Sequence, residues 1–174
     1  MKDLKKLEEK IGIKFKNLDL LRQSLIHKSY LNEHPEEKLS DNERLEFLGD
    51  AIIEYVVTDY LYRNYQEPEG TLTAWRASLV NAKILSKIAK KFNLDKYLYL
   101  SKGLAIEKSK TKILANAFEA LIGAIYLDQG LNKAKSFIEK EIIPHLSKIL
   151  KYKLYKDAKT KFQELAQEKF RITP

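Results

Sequence analysis

Apolar positions recur along this chain at helical spacing, and one stretch breaks the rhythm by being apolar on every side. Leu4, Leu7 and Ile11 mark a short amphipathic first helix. Asn17 has the chemistry of an N-cap for a second helix, over 18–27, with Leu20, Leu21 and Leu25 inward. His27 falls at its end, where a capping or core role suits it better than catalysis because no acid or nucleophile stands at useful spacing. Residues 28–41 are polar, include Pro35, and read as a loop. Ser40 or Asp41 caps a long helix from Asn42 to about Tyr65. Pro68-Glu69-Gly70 makes a turn, Thr71 caps the next helix, and Asn81 caps another reaching about Phe92. Tyr97 to Gly103 is short enough to pass for a strand. Lys102, Lys108, Lys110 and Lys112 then sit in a loop.

The exceptional stretch is 113–127. It has no proline, is too long for an ordinary strand and too short for a membrane span. A helix apolar all round belongs in the middle of a bundle. Asp128-Gln129-Gly130 ends it, Gly130 supplying a left-handed cap. Residues 131–150 form a further helix bent at Pro144, and 151–156 form a basic connector. A last amphipathic helix starts at Asp157. The pattern predicts an all-α fold.

Composition narrows the class. The chain has 174 residues, 44% hydrophobic and 32% charged, enough for one substantial core in a soluble protein. No run is long enough for a bilayer, and the N-terminus lacks the apolar core of a signal peptide. There is no cysteine, which excludes disulfides and thiolate metal sites and fits a cytoplasmic protein. The net charge of +8 is uneven: residues 1–130 hold 21 Lys and Arg against 19 Asp and Glu, residues 131–174 hold 11 against 5. Such a basic flank suits a polyanion such as nucleic acid, or simply a solvated lysine face. Trp75, the only tryptophan, reads as a core or rim anchor rather than a base-stacking platform.

Two polar side chains interrupt the apolar helix, Asn116 and Glu119, one turn apart on one face. An ionised carboxylate there costs several kcal/mol or more unless paired. In the 42–65 helix, Glu43, Glu46 and Asp50 lie within about 60° of one another at 100° per residue. Ile53 and Val57 continue the Glu46/Asp50 stripe, so these acids begin a face that becomes core. Gly49 costs about 1 kcal/mol relative to alanine in mid-helix, which close packing against a second helix explains, with Gly123 as counterpart. Glu46, Asp50, Asn116 and Glu119 offer only oxygen donors, the set preferred by magnesium or manganese. A carboxylate-held magnesium beside a basic surface suits phosphodiester hydrolysis. The competing reading is structural ion pairing, with Arg44 and Arg76 as partners. Neither a nucleophilic triad nor a Gly-rich phosphate loop is present, and nothing calls for an organic cofactor.

Four segments carry a family resemblance. Asn42-Glu43-Arg44-Leu45-Glu46-Phe47-Leu48-Gly49-Asp50-Ala51 resembles the signature of ribonuclease III. Leu25-Ile26-His27-Lys28-Ser29-Tyr30 is similar to the Leu-Thr-His-x-Ser-Tyr element upstream of it. Glu69-Gly70 resembles the Glu-Gly before the family's fourth helix, and Phe118-Glu119-Ala120-Leu121-Ile122-Gly123-Ala124 its second acidic motif. The resemblance implies a nuclease domain over 1–150, a linker over 151–156, and over 157–174 the start of a double-stranded-RNA-binding domain. It further implies a helical-bundle homodimer that cleaves double-stranded RNA, leaving 5′-phosphate and 3′-hydroxyl ends with two-nucleotide 3′ overhangs. Glu46, Asp50, Asn116 and Glu119 match the family's Mg2+ ligands, with Mn2+ as substitute and Asp50 and Glu119 as the catalytic pair. Glu43 and Glu69 match acids lining the cleft near the dimer axis, and Phe47 the aromatic that plugs into the partner subunit. Lys159, Thr160 and Gln163 match RNA-contacting positions. Asn116 departs from the family's usual aspartate. It keeps a carbonyl oxygen and loses a charge, so weaker magnesium binding, a preference for manganese, slow turnover, or an RNA-binding relative without cleavage is expected.

Overall fold

A computed structural model describes residues 2–104 and 107–155, the side chains of 107–109 excepted. Lys159, Thr160 and Gln163 therefore lie outside the described residues, as does the helix expected from Asp157. Among the described residues the fold is all-α: helices surround one central helix, and β pairing is limited to a single parallel bridge between Ile26 and Tyr99. That bridge is what remains of the strand expected at 97–103.

The first helix, α1 (Leu4–Ile11), starts on Asp3, whose carboxylate accepts from the Lys6 amide, and buries Leu7 and Ile11. Asn17 caps α2 (Leu18–Gln23), which stops four residues earlier than its apolar pattern suggests. Leu25 and Ile26 are still fully buried, but Leu25 lies in a turn and Ile26 in the bridge: the His27 amide donates to the Tyr99 carbonyl at 3.0 Å and the Tyr99 amide to that of Leu25 at 2.9 Å. His27 caps not the helix before it but the one after. Its Nδ1 accepts from the Ser29 amide at 3.1 Å at the start of α3 (Lys28–Glu33). The expected loop at 28–41 thus contains a short helix.

The long helix α4 (Glu43–Asn64) is fixed at its entry by a buried asparagine. Asn42 donates its side-chain amide to the Ser24 carbonyl at 3.2 Å and its backbone amide to that of Ile26 at 2.9 Å. Asp41 accepts from the Glu43 amide at 3.1 Å. Helix α5 (Glu69–Leu79) begins directly after Pro68, so Glu69 opens the helix and Thr71 lies within it instead of capping it. Asn81 caps α6 (Ala82–Lys91), as its spacing predicts.

The central helix α7 (Glu107–Gln129) begins six residues before its apolar core, which puts Lys108, Lys110 and Lys112 on helix rather than loop. Leu114, Ala117, Phe118, Ala120, Leu121, Ile122, Ala124 and Ile125 are completely buried, as a helix without a polar face must be. Gly130 does have positive φ, at 82°, but with ψ 176° it is not the left-handed helical cap expected. The expected bent helix over 131–150 is two: α8 (Leu131–Glu141) and α9 (His145–Lys151), parted before Pro144.

The most extensive helix packing is that of α4 on α7. At their crossing the backbones touch. A Cβ on Gly49 would lie 1.7 Å from the Glu119 carbonyl oxygen, and one on Gly123 2.3 Å from that of Leu45. The crossing locks together the helices that carry the acids.

Candidate active site

The α4–α7 crossing brings Glu46, Asp50, Asn116 and Glu119 into one neighbourhood. Glu119 lies half-buried on α7, between the fully buried Phe118 and Ala120. Burial, with the charges of Asp50 and Glu46 added, raises its carboxyl from the ordinary value of 4.5 to about 7. Glu46, also half-buried, is raised too: burial leads, the Asn116 amide opposes it, and Glu43 and Asp50 reinforce it. Asp50 is exposed at the rim.

No arginine or lysine forms an ion pair with Glu46, Asp50 or Glu119 among the described residues. Arg76, a candidate partner, pairs instead with Glu54 at 2.8 Å and donates to the Thr58 hydroxyl at 2.9 Å. Arg44 is exposed and takes no part in an ion pair among the described residues. Lys112, one turn before Asn116, lowers Glu46 slightly through its charge. Sequence reasoning missed it by placing it in a loop, although its four-residue spacing to Asn116 is the signal of a shared face.

The donor set is three carboxylates and one amide, all oxygen, and its charges repel. That chemistry fits a hard divalent cation. The side chains do not form a closed cage: among the described residues no three Asp, Glu, His or Cys groups stand together closely enough to hold a metal ion.

The remaining expected residues lie apart. Glu43 is exposed and ion-paired with Lys28 at 3.5 Å. Glu69, in the first turn of α5, accepts from the Thr73 hydroxyl at 3.0 Å. It borders a groove with Thr58, Leu61, Tyr62, Leu72 and Arg76, so it lies beside α4 two or more turns beyond Asp50. Phe47 is 81% exposed. Tyr55 and Tyr62, also exposed, share its side of α4 within about 80° at 100° per residue. The sequence reading named only Phe47, though the helical spacing of the two tyrosines was available.

Residues 17–146 match the family model described as Ribonuclease-III-like, three quarters of the chain. The chain belongs to the ribonuclease III family. It is 46% identical to ribonuclease 3 of Enterococcus faecalis over 166 residues, covering 94% of this chain and 72% of that one. Against ribonuclease 3 of Chloroflexus aurantiacus it is 44% identical over 176 residues, covering 98% and 71%. A solved nuclease domain of ribonuclease III from Campylobacter jejuni, which shows structural flexibility in a region involved in dimer formation, superposes with a TM-score of 0.71 at 39% identity, covering 81% of this chain and 99% of that one. A second structure of that nuclease domain gives 0.70 at 41% identity, covering 80% and 96%. Membership makes the chain an endoribonuclease of the ribonuclease III type, acting on double-stranded RNA, and implies a divalent metal requirement. Among the described residues no helix is long and apolar enough to cross a membrane.

Proposed function

We propose that this ribonuclease III cleaves duplex RNA at the α4–α7 crossing with Mg2+ held by Glu46, Asp50, Glu119 and the Asn116 carbonyl, Mn2+ serving as substitute. The observation that carries the reading is Glu119: a carboxyl held near neutrality by burial and two acidic neighbours, with no cation paired to it among the described residues. When bound, such an ion lowers the pKa of a water and offsets charge on the phosphate. Glu119 and Asp50 keep the water oriented and the proton inventory correct, while Glu46 and Asn116 complete the oxygen donors. Buried α7 excludes bulk water behind the site, which strengthens each of these interactions.

The products are 5′-phosphate and 3′-hydroxyl ends with two-nucleotide 3′ overhangs, one strand cut by each subunit of a homodimer acting in cytoplasmic RNA processing. The exposed Phe47, Tyr55 and Tyr62 flank the acidic face of α4 and supply an apolar surface for a second copy, with Phe47 inserting into it. Glu43 and Glu69 line the cleft near the dimer axis. Residues 157–174 begin a double-stranded-RNA-binding domain after the 151–156 linker, with Lys159, Thr160 and Gln163 on the duplex. Cleavage of a long RNA duplex in magnesium and in manganese tests the reading. Glu119→Ala is expected to lower kcat by at least about a hundredfold while duplex binding persists. Unchanged cleavage by that variant would refute the site. Asn116 favours a second reading, duplex binding with little cleavage, and Asn116→Asp would then restore turnover.

A further inference from the structure

The connector after α9 does not leave the nuclease fold freely. Lys153 takes a left-handed conformation, φ 49°, with its amide donating to the Leu150 carbonyl at 3.2 Å and the Leu154 amide to that of Ile149 at 3.0 Å. This is the double bond pattern of a Schellman cap, built on lysine where glycine is usual. A side chain in that conformation crowds the following carbonyl oxygen, so the turn is strained. The apolar contact that normally accompanies the cap is missing at Leu154, which is 55% exposed. It comes one residue later. The reversed chain lays the Tyr155 ring edge-on to Trp75 of α5, centroids 6.0 Å apart at 66°, and Tyr65 meets Trp75 from the end of α4 at 5.2 Å and 88°. Trp75 is 7% exposed, and its indole N–H is buried with no acceptor, so packing alone holds the ring.

We propose that Tyr155, packed edge-on to Trp75, is a positioning residue for duplex RNA: it fixes where the chain departs from the nuclease fold and hence where the residues beyond it meet the substrate. The inference rests on the reading of Lys159, Thr160 and Gln163 as duplex contacts. With this clasp closed, the chain is held to the nuclease fold as far as Tyr155. Opened, the strained Lys153 turn loses its compensation and the chain is held only to the end of α9. The freedom so released must be lost again when substrate binds, which weakens capture. The clasp therefore contributes to substrate capture and leaves the chemical step alone.

Steady-state cleavage of a long RNA duplex by the full chain tests this, with Trp75 emission as reporter of the contact. Tyr155→Ala is expected to red-shift the emission and raise KM about threefold to tenfold with kcat within about twofold, and Tyr155→Phe to restore both. An unshifted emission, or a red shift with KM unchanged, would overturn the proposal. So would parallel losses in kcat and thermal midpoint, which mark a merely structural ring. Lys159→Ala combined with Gln163→Ala separates the two readings. If that pair leaves KM unchanged, the duplex contacts beyond Tyr155 fall. If it raises KM and Tyr155→Ala does not, the clasp alone falls.

Discussion

Replacing the Asn116 amide by a carboxylate adds one negative charge beside three acids. One unit charge at about 4 Å is worth about 4 kcal/mol at an effective dielectric of ~20, and even a third of that is roughly tenfold in affinity for a cation. Asn116→Asp is thus expected to tighten divalent-ion binding about tenfold, read by titration calorimetry, and to narrow any advantage of manganese over magnesium. Proton linkage at Glu119 has a definite sign. Its carboxyl is raised from 4.5 to about 7, so between those values the folded protein holds a proton that the unfolded chain has released. In chelator, stability should decline as pH rises through that window, and Glu119→Gln should flatten the decline. A divalent ion must displace the same proton, so manganese should raise the melting temperature more at about pH 8 than at about pH 6. Equal gains at both would count against Glu119 as a ligand.

At the scale of elements, the α4–α7 crossing makes the sharpest mutational case. In an exposed helix, glycine to alanine stabilises by about 1 kcal/mol. At Gly49 the added Cβ would fall 1.7 Å from the Glu119 carbonyl oxygen, so the helices must part. Gly49→Ala should cost about 1–3 kcal/mol or more in urea denaturation and reduce cleavage with it. This crossing was legible in the sequence, because a helix tolerates a costly mid-helix glycine chiefly where a neighbouring backbone must come close, and an all-apolar helix supplies that neighbour. So was the 113–127 stretch of α7, interrupted only by the strongly polar Asn116 and Glu119. Helix α3 was not: it is six residues long, polar, and capped by histidine rather than Ser, Thr, Asp or Asn. The start of α5 was misread for a subtler reason. Pro-Glu-Gly looks like a turn, yet proline, with no amide to leave unpaired, is also tolerated where a helix starts, here at the N-cap. Ion pairing is set by tertiary placement, so nothing in the sequence assigned Arg76 to Glu54 rather than to the site acids. A divalent ion was legible in the spacing of Glu46, Asp50, Asn116 and Glu119 as an oxygen-only donor set, whereas the second subunit came from resemblance alone.

For the whole molecule, the exposed aromatic stripe and the basic C-terminal flank make separate demands. If Phe47, Tyr55 and Tyr62 cover a second copy, Phe47→Glu should weaken self-association at least about tenfold in sedimentation, since a buried unpaired charge costs several kcal/mol. A dimer as tight as the wild type would argue against that face. Affinity for duplex RNA should fall linearly with the logarithm of salt concentration as phosphate contacts release counterions, with little dependence on base sequence. The touching backbones at Gly49 and Gly123 also decide what the interior is free to become. No side chain lies between the two helix backbones at that point, so peptide geometry alone sets the separation of the helices that carry the oxygen donors. Leucines and isoleucines elsewhere in the bundle can be exchanged, and the helices can pivot a little, without the two halves sliding past each other. The protein has a forgiving interior hung on one unforgiving pin.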